Sequence, residues 1–86
     1  SVPGRPAADA DPAVWEALKA WRAAAAQASG VPAYVIFHDA TLAAVAEARP
    51  SSTEELLALP GLGPVKAARY GDTLLGLVAN PDGPGG

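Results

Sequence analysis

An all-helical domain is what this 86-residue sequence predicts, and three observations predict it. Apolar residues recur at helical spacing in two long segments, each bounded by start and stop signals for a helix. The one apolar run short enough to be a strand has no second run with which to pair. Half of the residues are apolar and 17% are charged, a balance that favours a packed core over disorder.

The ends differ from the middle. Residues 1–10 (SVPGRPAADA) are rich in Pro, Gly and Ala without an apolar period, and 80–86 (NPDGPGG) consist almost entirely of turn formers. A linker over 1–10, a folded segment over 11–79 and a flexible tail over 80–86 follow. The chain starts with Ser1 and reads as a domain cut from a longer protein. A segment of this size buries a small core, and with no Cys it has neither disulfides nor thiolate metal ligands.

The first helix is expected over Pro12–Ser29. Asp11 suits the N-cap and Pro12 the first helical position. Val14, Leu18, Trp21, Ala25 and Ala28 fall on one stripe, and Gly30 followed by Pro32 closes it. Tyr34-Val-Ile-Phe37 fits a single helical turn. Asp39 looks like the N-cap of a third helix that carries Leu42, Val45 and Ala46 and stops before Pro50. Ser52-Thr-Glu-Glu55 is a capping box opening a short fourth helix with Leu56, Leu57 and Leu59. Pro60-Gly-Leu-Gly-Pro64 makes a tight turn into the fifth helix, whose buried stripe is Ala67, Gly71, Leu74, Leu75 and Val78. The result is a compact bundle of about five helices with a helix-hairpin-helix-like turn.

The inventory for catalysis is nearly empty. There is one His and no Cys, so no thiol nucleophile and no His cluster for a metal; no catalytic residue and no metal site are expected. His38 beside Asp39 suggests an oriented base, but a lone His ahead of a capped helix is ordinarily a boundary residue. No phosphate-binding G-x-x-x-x-G-K-[ST] occurs.

Leu59-Pro-Gly-Leu-Gly-Pro-Val-Lys66 carries more content. Gly61 and Gly63 permit a sharp turn and close approach of another molecule, and the following helix N-terminus favours an anion that Lys66 could also reach. A helix-hairpin-helix grips a nucleic-acid backbone in this way. A tight connection between antiparallel helices needs the same residues, and spacing alone does not separate the two readings. Pro64 deletes one N–H from the anion site. On a helical wheel Arg69, Thr73 and Lys66 lie at about 140°, 180° and 200° from Pro64, opposite the apolar stripe. On the first helix Trp15, Lys19 and Arg22 share a face where an aromatic between cations could stack on a base. The plainer alternative has Trp15 extending the core with Arg22 packed over it. Tyr34, in a Pro-flanked connection, is either a stacking platform or a residue at the core edge.

These residues resemble a known family. Gly30-Val-Pro-Ala-Tyr-Val-Ile-Phe-His-Asp-Ala-Thr-Leu42 is similar to the signature of the HRDC domain, the helicase-and-RNase-D C-terminal domain. Arg49-Pro-Ser-Ser-Thr-Glu-Glu-Leu-Leu57, the Leu59–Lys66 turn, Arg69-Tyr-Gly71 and Trp21-Arg22 fit in order and spacing. Tyr34–Phe37 followed by Asp39–Leu42 is nearer the RecQ-helicase branch than RNase D.

The resemblance implies a non-catalytic helical domain appended to a RecQ-type ATP-dependent DNA helicase. It would bind single-stranded or branched DNA weakly and tune which structures are unwound in recombination and repair. ATP and Mg would belong to the parent chain, with no cofactor in this segment. By position the family's DNA-contacting regions fall at Lys19, Arg22, Tyr34, Gly61, Gly63, Lys66 and Arg69. The alternative is an acidic module that docks on its own helicase core or a sibling domain. A monomer away from membranes is expected, cytoplasmic, and nucleoid-associated in a bacterium. The net charge of −3 is spread unevenly: residues 12–79 carry five cations and six anions, the remaining −2 lying in the flanking segments. Net charge therefore argues against a strong nonspecific DNA binder, but not against a weak local one.

Overall fold

A computed structural model of the chain describes residues 5–82. Five helices follow in order: α1 (Pro12–Ser29), α2 (Ala33–Ile36), α3 (Asp39–Ala48), α4 (Thr53–Leu57) and α5 (Pro64–Ala79). Among the described residues there is no strand. Ala10 N–H closes a turn on Ala7 C=O just ahead of α1. The outer parts of the expected linker and tail, 1–4 and 83–86, lie outside the described residues.

Local chemistry explains where α1 begins and ends. The Asp11 carboxylate accepts the Ala13 N–H at 2.8 Å, satisfying one of the first-turn donors that a helix leaves without partners. Gly30 adopts φ +69° and returns its N–H to the α1 carbonyls, the left-handed stop that a residue with a Cβ resists. The helix buries Val14, Leu18 and Ala26, with Trp21 and Ala25 packed beside them. Ala28, expected on the stripe, is exposed. The buried line advances in steps of four, 14–18–22–26, and so passes through Arg22.

Two capping details differ from the sequence expectation. The N-cap of α3 is His38, and Asp39 is already the first helical residue. Its carboxylate is drawn away from the helix to Arg22 Nη1, 2.6 Å distant, and a charge-assisted contact of that length outcompetes a cap. At α4, Ser52 Oγ accepts the Glu55 N–H at 3.2 Å as the capping box requires. The return bond goes one residue upstream, from Ser51 N–H to Glu55 Oε1 at 2.7 Å. Ser51 Oγ lies 3.2 Å from the same oxygen.

Helix α1 packs on α2, α3 and α5, and α4 packs on α5. Leu18, Phe37, Leu42, Val45, Leu56 and Leu74 form the centre of one continuous core. Trp21, Phe37 and Tyr70 make an aromatic cluster with centroids 5.3–6.0 Å apart, two of the three pairs edge-to-face. This cluster fastens α2 between α1 and α5. No helix of the described residues is long and apolar enough to cross a membrane.

Replacing the α1 cap should be felt by the whole bundle, because α1 touches three other helices. Asp11→Ala is expected to lower unfolding free energy by about 1 kcal/mol, with Asp11→Asn retaining most of it. Urea unfolding followed by circular dichroism measures both; equal loss in the two variants would contradict the capping role.

Candidate nucleic-acid interface

The residues that sequence reasoning singled out divide into two groups. Lys66 and Arg69 of α5 border one groove with Val35 and Ile36 of α2, Tyr34 stands on α2 itself, Gly61 and Gly63 lie in the turn before α5, and Arg22 reaches the end of α2 from α1. Lys19 stands apart: it pairs with Glu16 at 3.0 Å and lies 5.0 Å from the Trp15 ring centroid. Together with Arg5 and Asp39, Trp15 and Lys19 line a separate groove beside the chain entering α1.

Two of the candidate cations are engaged inside the domain. Lys66 Nζ donates to the Ile36 carbonyl at 2.8 Å and is 3.3 Å from that of Val35. It also sits 5.1 Å from the Phe37 ring centroid. Arg22 Nη1 donates to the Phe37 carbonyl at 2.9 Å while pairing with Asp39, and its side chain is only 12% exposed. Its Nε is buried without a hydrogen-bond partner, a desolvation cost that the Nη1 contacts must offset. Three successive carbonyls, 35 to 37, are thus capped by two cations from different helices. A four-residue helix leaves those carbonyls without internal partners, and positive charge there complements the helix dipole.

Above this clamp Tyr34 is 60% exposed, with the His38 ring 5.9 Å away. Val35, next to it in the chain, is exposed, and so is Val65 in the first turn of α5, at 79%. They border a shallow groove with Val31, Ile36, Arg69 and Tyr70. Arg69 is exposed and lies 5.3 Å from the Tyr70 ring centroid. Sequence reasoning missed Val35 and Val65 as surface residues, since periodicity in a four-residue apolar run does not say which member faces out. It also treated Lys66 as solvated. A wheel describes one helix, and the carbonyls that Lys66 meets belong to another, α2.

The two glycines of the turn have different jobs. Gly61 has φ +80°, and a Cβ there would fall 2.2 Å from Thr41 Oγ1, inside α3. Its close approach is made to its own domain. Gly63 is the N-cap of α5 with φ −85°, and a Cβ there would meet nothing within 4 Å. No side chain caps α5.

Of the five cations in residues 12–79, Lys19 and Arg22 are in ion pairs and Lys66 is on carbonyls. Arg49 and Arg69 have no ion pair among the described residues. Lys66 and Arg69 border one groove, where Lys66 is already bonded to carbonyls.

A five-helix bundle with these caps and this clamp defines a small all-helical domain. Comparison with known proteins gives it a family. The HRDC domain family model matches residues 11–78, and the chain belongs to that family. The solved structure of the third HRDC domain of Deinococcus radiodurans RecQ superposes with a TM-score of 0.74 at 35% identity, covering 81% of this chain and 93% of that one. Among curated proteins, the ATP-dependent DNA helicase UvrD2 of Mycobacterium tuberculosis is 46% identical over 72 residues, 84% of this chain and 10% of the helicase. The ATP-dependent DNA helicase RecQ of Haemophilus influenzae is 32% identical over 71 residues, 83% of this chain and 12% of the helicase. The chain therefore spans about a tenth of the length of these relatives.

Two contrasts test this geometry. Gly61→Ala is expected to cost about 2–4 kcal/mol through the left-handed φ and the Thr41 clash, whereas Gly63→Ala should cost less than about 1 kcal/mol. Arg22→Met, which strands the Phe37 carbonyl, should cost about 1.5–3 kcal/mol. Asp39→Asn should cost at most about 1 kcal/mol, because that carboxylate is largely exposed. Denaturant melts of the four variants read both contrasts, and equal losses within either pair would contradict the assignments.

Proposed function

We propose that this chain is the non-catalytic accessory domain of an ATP-dependent DNA helicase. In this reading it makes a weak, low-charge contact with single-stranded or branched DNA and so modulates binding and unwinding by the parent. ATP and Mg are bound by the parent chain. The observation that carries the DNA contact is Tyr34, an exposed aromatic on a helical turn anchored from two sides. A base stacks on such a ring without sequence preference, at about 1–3 kcal/mol per base. Arg69, exposed and without an ion pair among the described residues, is the cation available to meet a phosphate, and Lys19 with Trp15 offers a second, weaker point of contact. The higher identity to UvrD2 than to RecQ supports a parent of either helicase kind, and not of RecQ alone.

A second reading is favoured by the exposed Val35 and Val65 and by the internal engagement of Lys66 and Arg22. Here the domain docks on its helicase core or a neighbouring domain. A tether makes even a weak contact effective by raising the local concentration.

A salt-series titration of the chain with a labelled single-stranded oligonucleotide separates the two. Direct contact is expected to give a log–log slope of about −0.7 to −1.4, for one or two phosphates neutralised. Saturable binding to the purified helicase core, with none to the oligonucleotide even at low salt, would replace the first reading by the second.

A further inference from the structure

We infer that Lys66 and Arg22 are positioning residues for the DNA contact: they hold Tyr34 in place through the carbonyls of residues 35–37 and do not themselves touch phosphate. The inference rests on the reading of Tyr34 as the stacking residue.

Helix α2 is only four residues long, follows Pro32, and has no side-chain hydrogen bond at its N-cap. A helix of one turn does not sustain itself, since nucleation fixes several residues for a single bond. Tertiary contacts must therefore set its orientation. Ile36 and Phe37 are buried and anchor one side. Tyr34 precedes Ile36 by two positions, about 200° around the helix, so any roll of α2 about its axis moves the ring. Burial alone tolerates such a roll, because apolar contact is not directional. Hydrogen bonds are directional, and three of them converge on α2 and its C-cap from α1 and α5.

The same contacts determine what Lys66 is free to do. An ammonium has three N–H donors. Two carbonyl oxygens lie within 3.3 Å of Nζ, and the Phe37 ring covers a further side. A phosphate would have to compete for an ammonium already held on three sides by contacts to the element that presents Tyr34. Arg22 is constrained more strongly, being mostly buried with its Nη1 shared between Phe37 and Asp39. Effects of these cations on DNA binding therefore pass through the placement of Tyr34.

Salt dependence and coupling distinguish positioning from direct contact. The 86-residue chain and its Tyr34→Ala, Lys66→Met, Lys66→Arg and Tyr34→Ala/Lys66→Met variants are titrated against fluorescein-labelled oligo-dT over a salt series. Circular dichroism fixes a temperature at which each is folded. Tyr34→Ala is expected to weaken binding about tenfold. Lys66→Met should weaken it about three- to tenfold with an unchanged salt slope, and the double variant should bind no worse than Tyr34→Ala. Lys66→Arg, which keeps donors for the carbonyls, should restore most of the affinity.

A slope shallower by about 0.7 in Lys66→Met would mean a lost phosphate contact and would overturn the inference. Additive losses, or wild-type affinity in Lys66→Met, would overturn it too. Wild-type affinity in Tyr34→Ala would instead remove the reading of Tyr34, and the inference with it. If Lys66→Met does not fold, Arg22→Gln puts the same question at the Phe37 carbonyl: a measurable loss, no greater than that of Tyr34→Ala and with an unchanged slope, supports positioning, and any other result, wild-type affinity included, overturns it.

Discussion

A helix of one turn cannot satisfy its own carbonyls, and the surface described above depends on how that problem is solved at α2. Lys66 and Arg22, 30 residues C-terminal to Ile36 and 15 N-terminal to Phe37, supply the missing donors. Each contact joins chemistry to topology. Lys66 ties the start of α5 to the end of α2, and Arg22 ties the middle of α1 to the junction of α2 and α3. The aromatic cluster of Trp21, Phe37 and Tyr70 lies under the same junction, so apolar burial and charge-assisted hydrogen bonds act on one short element.

This arrangement changes the meaning of the charge count. Six cations against nine anions describe an acidic chain, yet the count does not say which charges face solvent. Lys66 and Arg22 are largely withdrawn into the fold and Lys19 is paired on its own helix, leaving little concentrated positive surface. On the proposed reading, the DNA contact is local and is carried by an aromatic more than by phosphates.

Much of the fold was legible in the sequence because caps are local. Asp11-Pro12 and Gly30 mark α1, Pro50 stops α3, and Pro64 opens α5; each acts within a few residues of itself. What was not legible depends on partners distant in the chain. Asp39 has the form of an N-cap, but its carboxylate answers to a guanidinium 17 residues earlier, leaving His38 in the cap position. Glu55 returns its bond to Ser51 and not Ser52, a shift of one residue that the capping-box pattern does not encode. One signal for the site was present. Arg22 lies four residues from both Leu18 and Ala26, so a cation interrupts a buried ridge, and a cation in such a place needs a partner inside. Lys66 carried no comparable mark, since the carbonyls its ammonium binds lie 30 and 31 residues earlier in the chain, at the end of α2.

The claim that Lys66 is engaged within the fold is tested most directly at the ammonium itself. Nuclear magnetic resonance of the 15N,13C-labelled chain can observe the Lys66 side-chain NH3+ and any coupling across its hydrogen bond to a carbonyl carbon. The expected result is a resolved, slowly exchanging ammonium signal correlated with the Ile36 carbonyl, and it should persist when oligonucleotide is added. A rapidly exchanging, averaged signal in the free chain, or loss of the correlation on binding DNA, would contradict the account.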